Sequence, residues 1–315
     1  MPTAIIADPI SKQHDPGWGH PESPERFDAV QRALQNEGLL DMALTLTPRK
    51  ATEDELAWCH DPDYIAQIRH EIQSGMTQAS TGDTALSFRS YEVAQYAVGA
   101  ILRAVDALMS GEARNAFCAV RPPGHHATRN CAMGFCIFNN VAIGARYAQK
   151  KHGLERILIV DWDVHHGNGT QDIFYEDPSV FYFSAHQAPL YPFTGWEEER
   201  GTGPGEGATR NVCMAAGAGR AEMLAALEDV LAPAMETFRP DMIFLSAGFD
   251  SRVDDPLGHM QLTDADFRDM TAHMMRLADT YCDNRLVSVL EGGYNLHGLA
   301  SAVTAHVHQL IFGNR

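Results

Sequence analysis

The chain has 315 residues, 45% of them hydrophobic, and its 41 acidic and 24 basic residues give a formal net charge of −17. A chain of this length and composition can bury a large core without disulfides. The acidic balance argues against a general nucleic-acid-binding protein, because phosphate backbones require stripes of Lys and Arg, and it favours a cationic substrate.

Three stretches have the pattern of long helices. The first covers residues 23–38, where Ser23 and Pro24 predict a cap followed by a proline at the first helical position, and Gly38 ends the pattern. The others cover residues 90–111 and 221–238. A later stretch, residues 187–209, is rich in Gly, Pro and charge, and predicts a surface loop.

Four short apolar runs predict buried strands that alternate with these helices, as in an α/β fold with a mainly parallel sheet. The runs cover residues 115–120, 156–160, 241–248 and 285–293. No repeat or low-complexity tract divides the chain, so we expect one domain over residues 1–315. The polar residues of all four runs lie at their C-terminal ends, where parallel sheets bind ligands. We therefore expect one site at that edge.

The chain shows no sign of secretion or of membrane insertion. No stretch approaches the roughly 18 consecutive apolar residues of a transmembrane helix, and the N-terminal segment MPTAIIADPISKQHD does not resemble a signal peptide. The six cysteines are scattered, and the spacing of Cys131 and Cys136 fits neither a zinc clamp nor a redox motif. We expect a cytoplasmic protein with reduced thiols. The oligomeric state stays open.

The segment DWDVHHGNG at residues 161–169 directly follows the second run. Asp163 and His165 are two residues apart, so their side chains leave on the same side if the strand continues. A carboxylate and a neutral imidazole suit zinc, and a catalytic zinc needs a third protein ligand. Asp250, at the end of the third run, is the candidate. Alone, each residue could be a cap, turn or surface residue, and only their convergence favours a metal.

Two histidines and a tyrosine follow the other two runs. His125 and His126 lie on a turn after two prolines, and beside a metal they would act as general acid and base. We assign Asp161 to orienting and charging one histidine, and Asn168 could orient the other without adding charge. Tyr294 follows two glycines and can donate its hydroxyl to an oxyanion. Alone, it would be an ordinary core tyrosine.

Six motifs in chain order resemble those of the zinc-dependent histone deacetylase family, specifically its class II branch and bacterial relatives. They are HPESPERF, RPPGHHA, GFCIFNNVAIGA, DWDVHHGNGTQ, SAGFDSRVDDPLG and LEGGYN, which together run from His20 to Asn295. The resemblance implies an arginase-like three-layer αβα fold with about eight mainly parallel strands. It also implies hydrolysis of acetyl-lysine, or another short acyl-lysine of a protein or peptide, by metal-activated water.

The resemblance implies roles for the catalytic residues. It assigns zinc to Asp163, His165 and Asp250, and the transition-state hydroxyl to Tyr294. His126 resembles the general base and acid. The resemblance pairs His125 with Asp161, and Asn168 stands where class I members carry an acid.

The resemblance also implies a second ion and a substrate tunnel. A potassium or sodium ion close to the zinc would bind partly through backbone oxygens of Asp161, Asp163, His165, Ser184 and Ala185. Phe135, preceded by Gly134, and Tyr191 resemble the tunnel walls that hold the lysine stem. Asp83 resembles the rim acid that binds substrate backbone amides.

Three alternatives remain beside a lysine deacetylase. Binuclear manganese ureohydrolases share the fold, but they need acids where this chain has Gly167 and Arg252. A non-enzymatic acyl-lysine-binding module should have lost a metal ligand or Tyr294. An acetylpolyamine amidohydrolase has the same chemistry, and the branch that prefers polyamines carries an acid after the Asp-Pro step, where this chain has Leu257. We therefore expect acyl-lysine to be preferred over acetylpolyamine.

Overall fold

The computed structural model describes residues 1–313. Eight strands form one sheet: β1 (Thr3–Ile6), β2 (Leu44–Leu46), β3 (Asn115–Cys118), β4 (Ile157–Asp161), β5 (Val180–Gln187), β6 (Thr209–Met214), β7 (Met242–Ala247) and β8 (Leu286–Leu290). All neighbouring pairs are parallel, in the order β2-β1-β3-β8-β7-β4-β5-β6. The predicted eight-stranded α/β fold is confirmed, and the sheet is entirely parallel.

Helices cover both faces of the sheet and make the molecule three layers deep. They are α1 (Glu25–Asn36), α2 (Leu39–Met42), α3 (Glu53–Leu56), α4 (Pro62–Gln73), α5 (Ser90–Met109), α6 (Asn140–His152), α7 (Asn168–Phe174), α8 (Arg220–Ala225), α9 (Ala232–Phe238), α10 (Asp264–Tyr281) and α11 (Leu296–Phe312). One core lies beneath α4, α5 and α6, and the other beneath α1, α10 and α11. Because both faces are covered, the central strands are continuous apolar runs.

Two predicted helices differ in detail from the structure. Pro24 is the N-cap of α1 instead of its first residue, and no side-chain capping hydrogen bond forms, so the predicted cap at Ser23 is wrong. The segment predicted as one helix over residues 221–238 contains a π-helical turn, Ala226–Leu231, between α8 and α9. This turn ends two residues before Pro233, which lacks the N–H that a regular helix would use.

The order of the strands explains where the polar turns meet. The four strands β3, β8, β7 and β4 are neighbours in the middle of the sheet. The predicted strand runs correspond to these four strands, each with slightly different ends. Since parallel strands end at the same edge, the four turns that follow them lie side by side. The loop over residues 188–208 joins β5 to β6 and contributes to the same region.

Candidate active site

Asp163, His165 and Asp250 come together beyond the ends of β4 and β7. Each offers one ligand atom, these atoms all lie within 4.8 Å of one another, and all three residues are buried. His165 Nδ1 is 3.0 Å from Asp163 Oδ1 and 3.1 Å from Asp250 Oδ2. Residues 1–313 contain no second group of three His, Cys, Asp or Glu side chains with this spacing.

The charges of this group suit a divalent cation. Burial and the charge of Asp163 raise the pKa of Asp250 to about 7. Burial alone would raise the pKa of Asp163 as well, but His125 and His165 hold it below its ordinary value. Two carboxylates so close together repel each other when both are ionised, and a bound cation removes that cost. The nitrogen and two oxygens therefore fit zinc with a coordination position left for substrate.

Gly248 and Gly292 have no side chains, and this leaves room for the carboxylates of Asp163 and Asp250. A Cβ at Gly292 would lie 2.1 Å from Asp250 Oδ2 and 2.6 Å from Asp163 Oδ2. A Cβ at Gly248 would lie 2.1 Å from Asp163 Oδ2. The Gly292 N–H also donates to Asp163 Oδ2 over 2.8 Å. Only glycine allows the backbone to approach the ligands this closely.

The histidines of the turn after β3 lie beside the metal group and have different partners. His125 Nδ1 is 2.9 Å from Asp161 Oδ2, whereas His126 Nδ1 is 2.8 Å from Asn168 Oδ1. Burial alone would lower the pKa of His125, but the carboxylates of Asp161 and Asp163 raise it well above its ordinary value. Burial and the charge of His125 lower the pKa of His126 well below that value. The structure thus brings together the partners that the sequence paired.

A cavity of about 250 Å³ leads to this group. It is lined by Asp83, His126, Gly134, Phe135, His165, Leu190, Tyr191, Leu257 and Tyr294. The substrate residues proposed from the sequence thus share one cavity, and Leu190 is a wall residue that sequence reasoning missed. Gly134 and Phe135 both have positive φ, at 55° and 68°. This turn brings the Gly134 backbone close to His126 and places Phe135 in the wall.

Tyr294 also lines the cavity and follows β8. Its ring packs edge-on against Phe135, with centroids 5.8 Å apart. Burial and the negative charge of Asp250 raise the pKa of Tyr294 well above its ordinary value, although the Arg26 guanidinium lies 5.1 Å from the ring. The hydroxyl therefore keeps its proton and remains a hydrogen-bond donor.

Residues 20–310 match the family model described as "Histone deacetylase domain". The chain belongs to the histone deacetylase family. Its relatives include human "Polyamine deacetylase HDAC10", 41% identical over 309 residues, and an Archaeoglobus fulgidus "Probable deacetylase", 38% identical over 300 residues. The solved HDA15 HD domain superimposes with a TM-score of 0.93 at 35% identity, over 99% of this chain and 88% of that one.

The lengths of the relatives differ. The matches cover 93% of this deacetylase-family chain and 46% of the human protein, so the chain spans about half of that relative. For the Archaeoglobus protein the corresponding figures are 95% and 83%. In this chain, residues 20–310 are the part that matches the family domain. Members of the family are zinc-dependent deacetylases, and the buried metal group fits that chemistry.

Sequence reasoning missed Glu291, a buried acid in this deacetylase-family site. Its Oε2 accepts hydrogen bonds from the N–H groups of Gly124 (2.7 Å) and His125 (3.2 Å), and its Oε1 accepts from the Ser246 hydroxyl (3.0 Å). Glu291 therefore fixes the histidine turn against β7 and β8. A signal was present in the sequence, because an acid directly after a buried apolar run needs partners.

A buried ionic cluster beneath the Tyr294 loop was also missed. Arg26 donates to the carbonyl of Gly293 over 2.7 Å and to Glu22 over 3.0 Å, and Arg121 also pairs with Glu22. Burial alone would raise the pKa of Glu22, but Arg121, His14 and Arg26 hold it well below its ordinary value. The motif HPESPERF contains two of these residues, but its letters do not show which side chains they meet.

Proposed function

We propose that this chain is a zinc-dependent amidohydrolase that removes acetyl or other short acyl groups from lysine side chains of proteins or peptides. One observation carries the proposal: the buried group of Asp163, His165 and Asp250 lies at a narrow cavity that His126 and Tyr294 also line. We further propose that residues 1–315 act as one catalytic domain, because both cores pack on a single sheet.

The donor atoms that would hold zinc are Asp163, His165 and Asp250. When bound, zinc polarises the amide carbonyl and acidifies water. We also propose a potassium or sodium site beside them, formed partly by backbone oxygens of Asp161, Asp163, His165, Ser184 and Ala185. The register of the sheet supports it, since Asp161 on β4 lies directly opposite Ser184 on β5.

The protein's own residues divide the proton transfers between them. His126 is neutral because of its low pKa, so its ring can take a proton from the attacking water and pass it to the leaving amine. His125, held charged by Asp161, contributes positive charge next to the developing oxyanion. Tyr294 donates its hydroxyl to that oxyanion, an interaction that is stronger in the transition state than in the substrate.

The choice of substrate depends on the cavity wall. Leu257 lines the cavity and offers apolar contact to a lysine stem, without a charge that would pair with a distant ammonium group. This favours acyl-lysine. A second candidate substrate, an acetylpolyamine, is favoured by the exposed carboxylate of Asp83, which also lines the cavity, and by the net charge of −17. Because such overall charge is screened over ~8 Å at physiological salt, the adjacent wall residue should dominate.

The test compares kcat/KM for an acetyl-lysine peptide and an N-acetylated polyamine, in the native protein and in Leu257→Glu. We expect the peptide to be the better substrate of the native protein. In the variant the ratio should move toward the polyamine by about tenfold or more, as expected for one charge-assisted contact. A native preference for the polyamine would establish the second candidate instead.

The cellular location stays a prediction. None of the helices within residues 1–313 combines the length and the apolarity that crossing a bilayer requires. We propose a cytoplasmic location, which the six free cysteines support, because unpaired thiols are usual in a reducing compartment. Acyl-lysine proteins or peptides are the proposed partners.

A further inference from the structure

One carboxylate, that of Asp255, connects two loops of the cavity. Its Oδ2 accepts hydrogen bonds from the backbone N–H groups of Tyr294, over 2.7 Å, and Asn295, over 3.2 Å. Its Oδ1 accepts from the N–H of Leu257, over 3.0 Å. Asp255 is only 7% exposed although it lies in a loop. All three donors are main-chain groups, so the carboxylate fixes the backbone at Leu257, Tyr294 and Asn295.

The loop that carries Tyr294 needs such an anchor. Tyr294 follows two glycines, and Gly293 has a φ of 120°, a conformation that other residues rarely adopt. The segment before the tyrosine therefore restricts its position less than a regular strand would. On the other side, the side chain of Asn295 caps α11 through the Gly298 N–H and donates to the Asp254 carbonyl over 3.0 Å. The two loops are thus joined by several hydrogen bonds.

Two of the residues that Asp255 contacts, Tyr294 and Leu257, have different roles in the cavity. Tyr294 and Leu257 both line it, but Tyr294 carries the hydroxyl assigned to the transition state, whereas Leu257 is an apolar wall residue. Removing the carboxylate would leave three partly buried N–H donors without their acceptor, and the loops would move to satisfy them. A displacement of about 1 Å is enough to reduce a rate by 10²-fold when a reacting group must be aligned.

We propose that Asp255 is a positioning residue for Tyr294 and Leu257, and that it acts on catalysis through the place of the Tyr294 hydroxyl. The inference rests on the proposed function. Asp255 is not one of the three residues of the candidate metal site, and its side-chain oxygens accept hydrogen bonds from backbone N–H groups. At saturating zinc, Asp255→Asn should therefore bind one zinc ion per chain, as the native protein does, while its rate falls.

A double-mutant cycle tests this inference. Asp255→Asn keeps the shape of the side chain but replaces one acceptor oxygen by an NH2 group that cannot accept a hydrogen bond. We expect kcat for an acetyl-lysine peptide to fall about 10- to 100-fold, with KM changing less than threefold. In a Tyr294→Phe background, Asp255→Asn should lower kcat by less than threefold, because the hydroxyl that it positions is already absent. The matched control is Asp254→Asn, a change in the exposed neighbouring acid.

Two further measurements separate this inference from the proposed function. Hydrogen exchange of the Tyr294 and Asn295 amides should be faster in Asp255→Asn and unchanged in Asp254→Asn, a comparison that needs no turnover. If Asp255→Asn does not fold, Asp255→Glu keeps the charge but moves the oxygens, and the same cycle applies. An equal loss of kcat in both backgrounds, unchanged kcat, or unchanged amide exchange would overturn the inference. Failure of the proposed function would instead appear as a zinc-loaded native protein without turnover.

Discussion

Two adjacent histidines have opposite protonation preferences because one lies beside a carboxylate and the other beside an amide. Asp161 keeps His125 charged, whereas the hydrogen-bond partner of His126, Asn168, is neutral and burial with the charge of His125 lowers the pKa of His126. A charged group and a neutral base are thereby placed side by side, with ring centroids 4.0 Å apart. This division is the chemical basis for assigning proton transfer to His126 alone.

The assignment predicts unequal effects of removing the two imidazoles. His126→Ala should lower kcat by about 10²- to 10⁴-fold, the usual contribution of a general acid–base group, and His125→Ala should cost less. The measurement is single-substrate kinetics at matched zinc content, with the same acetyl-lysine peptide. A clearly larger loss in His125→Ala would exchange the two roles.

The sequence could supply the residues of the site that have distinctive chemistry. Asp163, His165, Asp250 and Tyr294 each follow a recognisable buried strand, so the parallel arrangement of the strands was enough to group them. The role of Asp255 could not be predicted in this way, because its partners are backbone N–H groups whose positions depend on the folded loops. The sequence letters do not show which backbone N–H groups of another loop a carboxylate will meet.

At the scale of elements, the site depends on close approach between strand ends. The Gly248 backbone after β7 and the Gly292 backbone after β8 both lie against the carboxylates of the candidate metal site. The four apolar runs indicated the strands, but their order in the sheet comes from long-range packing. The break between α8 and α9 and the missing cap at Ser23 likewise depend on tertiary context.

A methyl group added at Gly248, directly after β7, should weaken zinc binding. In Gly248→Ala the new Cβ would lie 2.1 Å from Asp163 Oδ2 and 2.5 Å from Asp163 Cα, so the ligand must move. We expect zinc affinity to fall at least tenfold, measured by competition with a chelator of known affinity. Gly219→Ala is the control, because its Cβ would find no atom closer than 3.7 Å. Equal zinc affinities in the two variants would show that zinc binding does not depend on the close approach of the Gly248 backbone to Asp163.

At the scale of the whole molecule, several buried histidines are neutral parts of the core. Burial lowers the pKa of His60 and His186 to about 4 and that of His306 to about 3. His306 bridges α10 and β8, with Thr271 Oγ1 at 2.6 Å and Ser288 Oγ at 2.8 Å. In the unfolded chain these histidines have a pKa near 6.5. Below that pH the unfolded chain therefore binds protons that the folded protein does not bind.

Because the folded-state pKa values are lowered, the stability from these groups is present above pH 6.5 and is lost as the pH falls toward 3 to 4. Each group changes the free energy of unfolding by about 1.4 kcal/mol per pH unit inside that window. The free energy of unfolding, measured with urea, should decrease between pH 6 and pH 5 in both the native protein and His306→Gln. The decrease should be about 1 kcal/mol smaller in His306→Gln, because this variant lacks the buried imidazole. His308→Gln, at an exposed position, should show the full fall, and an identical pH dependence in all three proteins would contradict this account.

Hydrolysis by this chain should require one zinc ion held by Asp163, His165 and Asp250. The most direct measurement titrates metal-stripped protein with zinc while following acetate release from an acetyl-lysine peptide. Turnover in the native protein should rise in proportion to zinc and stop rising at one ion per chain, and Asp250→Ala should stay inactive at the same zinc concentration. Full turnover by the metal-free protein, or by Asp250→Ala without bound metal, would contradict the account.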